Sequence, residues 1–203
     1  MIPIVARAQG FLERTALVDN DGLFTYRQLL DVSHRAASSM LDGSNDLKEA
    51  RVAFLVPSGM SYVATQWGIW RAGGVAVPLC TFHPAPELAY VLDDVQAGLI
   101  VAHPQFESLL RPLAVERNIR FLTTTQLLEA APVAMLPQVI QDRRAMILYT
   151  SGTTSKPKGV VTTHEILSAQ ISSLVEAWEW TEGDHVLHVL PLHHLHGILN
   201  LLC

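Results

Sequence analysis

Four short runs made almost wholly of apolar residues constrain this chain more than any other feature. They are Val52-Ala53-Phe54-Leu55-Val56, Val75-Ala76-Val77, Leu99-Ile100-Val101-Ala102 and Ala145-Met146-Ile147-Leu148-Tyr149. A strand with one wet face alternates apolar and polar side chains. A strand apolar at every position must be covered on both faces. Between these runs, residues 61–72, 86–95 and 105–116 show helical spacing, the first carrying Tyr62, Trp67 and Trp70. Pro57-Ser58-Gly59 and Gly73-Gly74 punctuate the alternation. The pattern predicts an α/β fold with layered, mostly parallel sheets covered by helices.

Upstream, two β-prone runs flank Asp19-Asn20-Asp21-Gly22 and predict a hairpin. Thr25 followed three residues later by Gln28 fits a capping box. It opens a helix that buries Leu29, Ser33, Ala36, Ala37, Met40 and Leu41 and ends near Asp42-Gly43. Regular structure is expected to begin by Thr15. The segment 129–137, with Pro132 and Pro137, is the best linker. It divides the chain into a first α/β unit, 1–137, and the start of a second, 138–203.

Charge and cysteine usage exclude several classes. Lys and Arg number 14 against 19 Asp and Glu, a net charge of −5. No basic surplus exists to neutralise a phosphate backbone, so nucleic acid is not an expected partner. No apolar run reaches the ~18 residues of a membrane span. Cys80 and Cys203 are far apart and form no Cys-x-x-Cys pair, and no Asn-x-Ser/Thr occurs. Two free thiols in a reducing compartment fit best: intracellular, either cytoplasm or mitochondrial matrix.

The fourth apolar run leads into Thr150-Ser151-Gly152-Thr153-Thr154-Ser155-Lys156-Pro157-Lys158-Gly159. Hydroxyls and exposed backbone N–H groups donate to a polyphosphate, Gly152 permits close approach, and the lysines supply charge. The same composition also suits an ordinary solvated hairpin loop. A Walker A loop fails on spacing, because Pro157 stands where its second Gly belongs. Ser155-x-x-Lys158 matches an acyl-serine hydrolase motif, but Pro157 argues against the helix that motif needs.

Tyr-Thr-Ser-Gly-Thr-Thr-x-x-Pro-Lys-Gly, read from Tyr149, resembles the signature phosphate loop of the adenylate-forming superfamily, which includes the acyl-CoA synthetases. Residues 73–79, Thr163-His164 and residues 190–197 resemble that family's neighbouring motifs in order. The resemblance implies the N-terminal domain of that enzyme fold and a two-step reaction. A carboxylic acid and ATP give an acyl-adenylate and pyrophosphate, then coenzyme A displaces AMP. It makes Thr150, Ser151, Gly152, Thr153, Thr154 and Lys158 the holders of the β- and γ-phosphates, with Mg²⁺ accompanying ATP. The family usually has Gly where this chain has Ser155. The family's Tyr-Gly-x-Thr-Glu motif, whose Glu is expected to bind Mg²⁺, is absent. Residues 197–203 resemble a helix cut after its first turns, which is expected to expose Ile198, Leu199, Leu201, Leu202 and Cys203. The chain is therefore expected to be an incomplete form, without acid-dependent ATP–pyrophosphate exchange by itself.

His185, His188, His193, His194 and His196 fall within twelve residues. If His194-x-His196 lay on one strand face it could ligate a metal, but no Cys or carboxylate nearby completes a site. The resemblance instead makes His194 a catalytic residue beside the acyl-adenylate and puts His196 in the acyl pocket. An imidazole there suits a second carboxylate. The whole string, with Trp178 and Trp180, resembles the malonyl-CoA synthetase branch and implies malonate or methylmalonate. Two alternatives stand beside it: a non-catalytic nucleotide-binding fragment that pairs with a full-length copy, and a ligase for ordinary fatty acids.

Overall fold

The computed structural model describes residues 2–150 and 156–203. Helix α1 (Pro3–Ala8) opens with proline in its first turn, where the missing N–H costs nothing, and runs into a 3-10 turn, Gln9–Phe11. Structure thus starts ahead of Thr15, the position by which it is expected, because Ile2, Val5 and Ala8 are buried in the main core. Six residues are too few for helical periodicity to show.

Strands β1 (Thr15–Asp19) and β2 (Gly22–Thr25) form the predicted antiparallel hairpin. Thr25 then caps α2 (Tyr26–Leu41) in a full capping box, its N–H donating to Gln28 Oε1 at 2.8 Å. The helix ends where Asp42 turns left-handed, φ 48°. The hairpin also serves the next helix but one strand: the Met60 N–H donates to Asp19 Oδ2 at 2.8 Å. That places a carboxylate at the positive end of α3 (Met60–Arg71), which follows β3 (Arg51–Leu55).

After α3 come β4 (Val75–Pro78), α4 (Ala85–Asp94), β5 (Leu99–Ala102), α5 (Glu107–Glu116), β6 (Arg120–Thr123) and α6 (Thr124–Leu128). Then follow β7 (Arg144–Thr150), β8 (Lys158–Thr163), α7 (His164–Ala177) and α8 (Leu195–Leu202). Strands β3 to β8 form one sheet in the order β6-β5-β3-β4-β7-β8, parallel except for β8, which is antiparallel to β7. Successive strand residues serve opposite faces. Val52, Phe54, Ala76, Leu99 and Val101 pack with Met40, Trp70 and Leu127 from α2, α3 and α6. Ala53, Leu55, Val77, Ile100 and Ala102 pack with Leu88 and Leu92 of α4 and Leu110 of α5. Both faces are covered, which is why β4 and β5 carry no polar side chain and β3 only Arg51 at its first position.

The segment 129–143 leads from α6 to β7, and β7 joins the same sheet beside β4 at Ala76↔Met146. Trp70 Nε1–H donates to Ala145 O at 2.7 Å, and Arg143 Nη1–H donates to Asp46 Oδ2 at 2.7 Å. Helix α8 corrects the expectation of an exposed apolar end. Ile198, Leu199 and Leu202 are buried and Leu201 and Cys203 half-buried. The helix folds back so that Leu202 meets Ile2, Ile4, Trp70 and His164 around a small cavity. Among the described residues no helix is long and apolar enough to cross a membrane, and Cys80 and Cys203 are free thiols.

Candidate functional site

The turns at the carboxyl ends of the parallel strands gather along one edge of the sheet. Residues 57–59 follow β3, residues 80–84 follow β4, His103 follows β5 and Thr150 ends β7. Open α/β sheets bind ligands outside this edge, where no side chain of the sheet competes for the space. The β7–β8 hairpin opens onto it. In its register Tyr149 faces Gly159 and Thr150 faces Lys158. Thr150 Oγ1 donates to Lys158 O at 3.5 Å, and both residues are exposed. The structure therefore brings Thr150 and Lys158 together at the mouth of the hydroxyl-rich loop. Ser151, Gly152, Thr153 and Thr154, with Ser155, lie outside the described residues.

A second group forms around the start of α8. His194 occupies its N-cap position and His196 its first turn, and both are exposed. Residues two apart at a helix start do not share a face. The single strand face that a His194-x-His196 metal pair needs is therefore not what forms. Among the described residues no group of three or more His, Cys, Asp or Glu could hold a metal ion.

The turn before α8 is tightly held. A Cβ on Gly197 would stand 2.3 Å from Pro191 O, so only glycine permits this approach. The His188 Nε2–H donates to Gly197 O at 2.8 Å. The buried Tyr62 hydroxyl donates to Leu192 O at 2.5 Å, and burial pushes its phenol well above the usual range. His196 sits edge-on to Trp178, ring centroids 6.2 Å apart, with Trp180 5.3 Å from Trp178. His194 packs on His193 at 4.2 Å, and His193 lies 6.5 Å from His83 of the β4–α4 turn. Burial, and then the neighbouring His194 and His83, hold the His193 imidazole below its ordinary value. The His83 link ties the histidine group to the carboxyl end of β4. His83 carries no local signal of such a place, since its partner His193 lies far away in the chain. Together these groups offer hydroxyl, ammonium and imidazole donors along one edge, suited to anionic ligands.

Comparison with known proteins places the chain among known enzymes by sequence and fold. The family profile described as "AMP-binding enzyme" matches residues 4–203. The mitochondrial malonate–CoA ligase ACSF3 of Xenopus laevis is 43% identical over 217 residues, covering 100% of this chain and 37% of that protein. Its human counterpart is 43% identical, covering 99% of this chain and 37% of that protein. The chain thus spans just over a third of the length of these relatives. Among solved structures, ATP-bound MatB of Rhodopseudomonas palustris superposes with a TM-score of 0.82 at 26% identity, covering 97% of this chain and 41% of that one. o-Succinylbenzoate CoA synthetase of Bacillus subtilis, in complex with its acyl-adenylate intermediate, gives 0.86 at 28%, covering 98% and 51%. With this sheet topology and a family match over residues 4–203, the chain belongs to the AMP-binding enzyme family.

Proposed function

We propose that the chain supplies the phosphate- and acyl-binding part of an ATP-dependent acid–CoA ligase whose acid is malonate or methylmalonate. The observation that carries the reading is 43% identity to malonate–CoA ligases along the whole chain. In the first step a carboxylate oxygen bonds to the α-phosphorus of ATP, and pyrophosphate leaves with the electron pair of the broken P–O bond. In the second the coenzyme A thiolate bonds to the acyl carbon and AMP leaves. Thr150, Ser151, Gly152, Thr153, Thr154 and Lys158 hold the β- and γ-phosphates, and Lys158 offsets charge building on the leaving pyrophosphate. Mg²⁺ bound with ATP neutralises phosphate charge. His194 stands beside the acyl-adenylate. His196 donates to the acid's free carboxylate, whose burial without a partner is costly. The mitochondrial label of the frog and human relatives supports the matrix over the cytoplasm.

The test is thioester formation by the longest product of the reading frame that encodes this sequence, with malonate, acetate and octanoate compared at equal concentration. Malonate is expected to give the highest kcat/KM, and His196→Phe to lower it for malonate more than for acetate. A preference for octanoate overturns the dicarboxylate assignment.

A further inference from the structure

We propose that Tyr90 and Asp94 are positioning residues that hold both ends of the phosphate loop against one helix. The proposal rests on the reading that this loop takes phosphates. The loop leaves β7 after Tyr149 and Thr150 and returns through Lys156 and Pro157 to β8. At the outgoing end the Tyr149 hydroxyl donates to Asp94 Oδ2. At the returning end the Tyr90 hydroxyl donates to Pro157 O at 2.9 Å. The Tyr90 and Tyr149 rings meet edge to face, centroids 6.2 Å apart, and Lys156 Nζ lies 5.4 Å from the Tyr90 centroid. Tyr90 and Asp94 are four apart, so they project from one face of α4. The opposite face is anchored: Leu88 and Leu92 are buried against the sheet. The helix cannot follow the loop, so what is tied to it is fixed.

Gly159 makes the outgoing tie possible. It faces Tyr149 across the hairpin, and a Cβ there would stand 2.9 Å from Ile147 Cγ2 and 3.3 Å from the Tyr149 ring. Without that Cβ the Tyr149 ring lies over β8 on its way to Asp94. Burial, with Asp94 beside it, pushes the Tyr149 phenol upward, so the hydroxyl keeps its proton. The two ties hold Thr150 and Lys158 opposite each other before a ligand arrives. Donors fixed in advance need no reorganisation when charge meets them.

The experiment uses the 203-residue chain. It follows trypsin cleavage at Lys158–Gly159, with cleavage at Arg35–Ala36 inside α2 as the control for global unfolding, and tripolyphosphate affinity by titration. Tyr90→Phe and Asp94→Ala are each expected to speed cleavage at Lys158–Gly159 by about five- to tenfold and to weaken tripolyphosphate by a similar factor. Asp94→Asn, whose side-chain oxygen still accepts from Tyr149, is expected to restore both. Control cleavage is expected to stay unchanged. Cleavage at Lys158–Gly159 that is unchanged, or rises only in step with the control, overturns the positioning role while native binding keeps the phosphate reading. Faster cleavage with undiminished tripolyphosphate binding also overturns it. Failure of the native chain to bind tripolyphosphate overturns the phosphate reading and the role that rests on it.

Discussion

Lys158 faces Thr150 at the loop end of the β7–β8 ladder, and both are exposed. In the proposed phosphate role of Lys158, Lys158→Ala removes a charged hydrogen bond to the leaving phosphates. Such bonds contribute about 1.5–3 kcal/mol, so the KM for ATP is expected to rise about 10- to 150-fold with the acid's KM little changed. A loss shared equally by both substrates would contradict the assignment. His164 is a different case, because its chemistry is structural. It is 3% exposed, edge-on to Trp70 at 5.7 Å, and burial and then Arg143 push its imidazole down to about 4. The folded chain keeps it neutral where the unfolded chain protonates it, between about 6.5 and 4. The unfolded state binds the extra proton, so stability falls as pH drops through that window, by roughly 2–4 kcal/mol. His164→Phe keeps the aromatic contact and is expected to flatten this pH dependence in urea titrations at pH 7 and 4.5. An unaltered slope would count against it.

At the scale of elements, the turn into α8 is the sharpest case. Gly197→Ala drives a methyl into the Pro191 carbonyl, so residues 191–196 must shift. A lowered thermal midpoint and a raised KM for malonate are both expected, because His194 and His196 move with the turn. Unchanged malonate KM would show that these histidines do not meet the acid. The caps make a quieter prediction: Thr25→Ala breaks the capping box of α2 and is expected to cost about 1 kcal/mol in urea unfolding. Elements were legible where a long pattern had a local cause. The strands β3, β4, β5 and β7 announce themselves because both faces are buried, and α2 because its cap and stripe agree. Strand β6 begins with Arg120 and is only half-buried for three of its four residues, so its apolar run, Phe121-Leu122, is too short to mark it. Helix α6 has five residues, and its capping box, Thr123 with Gln126, is short enough to pass for turn chemistry. In the site, Thr150 and Lys158 are legible because the loop is contiguous. Tyr90, Asp94 and His83 are not, since only the fold brings α4 and its leading turn to the hairpin and to His193.

At the scale of the whole molecule, α1 and α8 meet around Trp70 and His164, so the two ends of the chain close one face of the core. This packing explains how an end as apolar as residues 197–203 is kept from water. It also separates stability from activity: the 203-residue chain is expected to unfold cooperatively yet to lack acid-dependent exchange by itself, and robust exchange by the purified chain would contradict that. Isotope exchange between labelled pyrophosphate and ATP reports adenylate formation on a dicarboxylic acid directly. With the longest product of the encoding reading frame, exchange is predicted to require malonate or methylmalonate and to proceed without coenzyme A. Exchange that octanoate supports and malonate does not, or that appears only when coenzyme A is added, would contradict adenylation of a dicarboxylic acid.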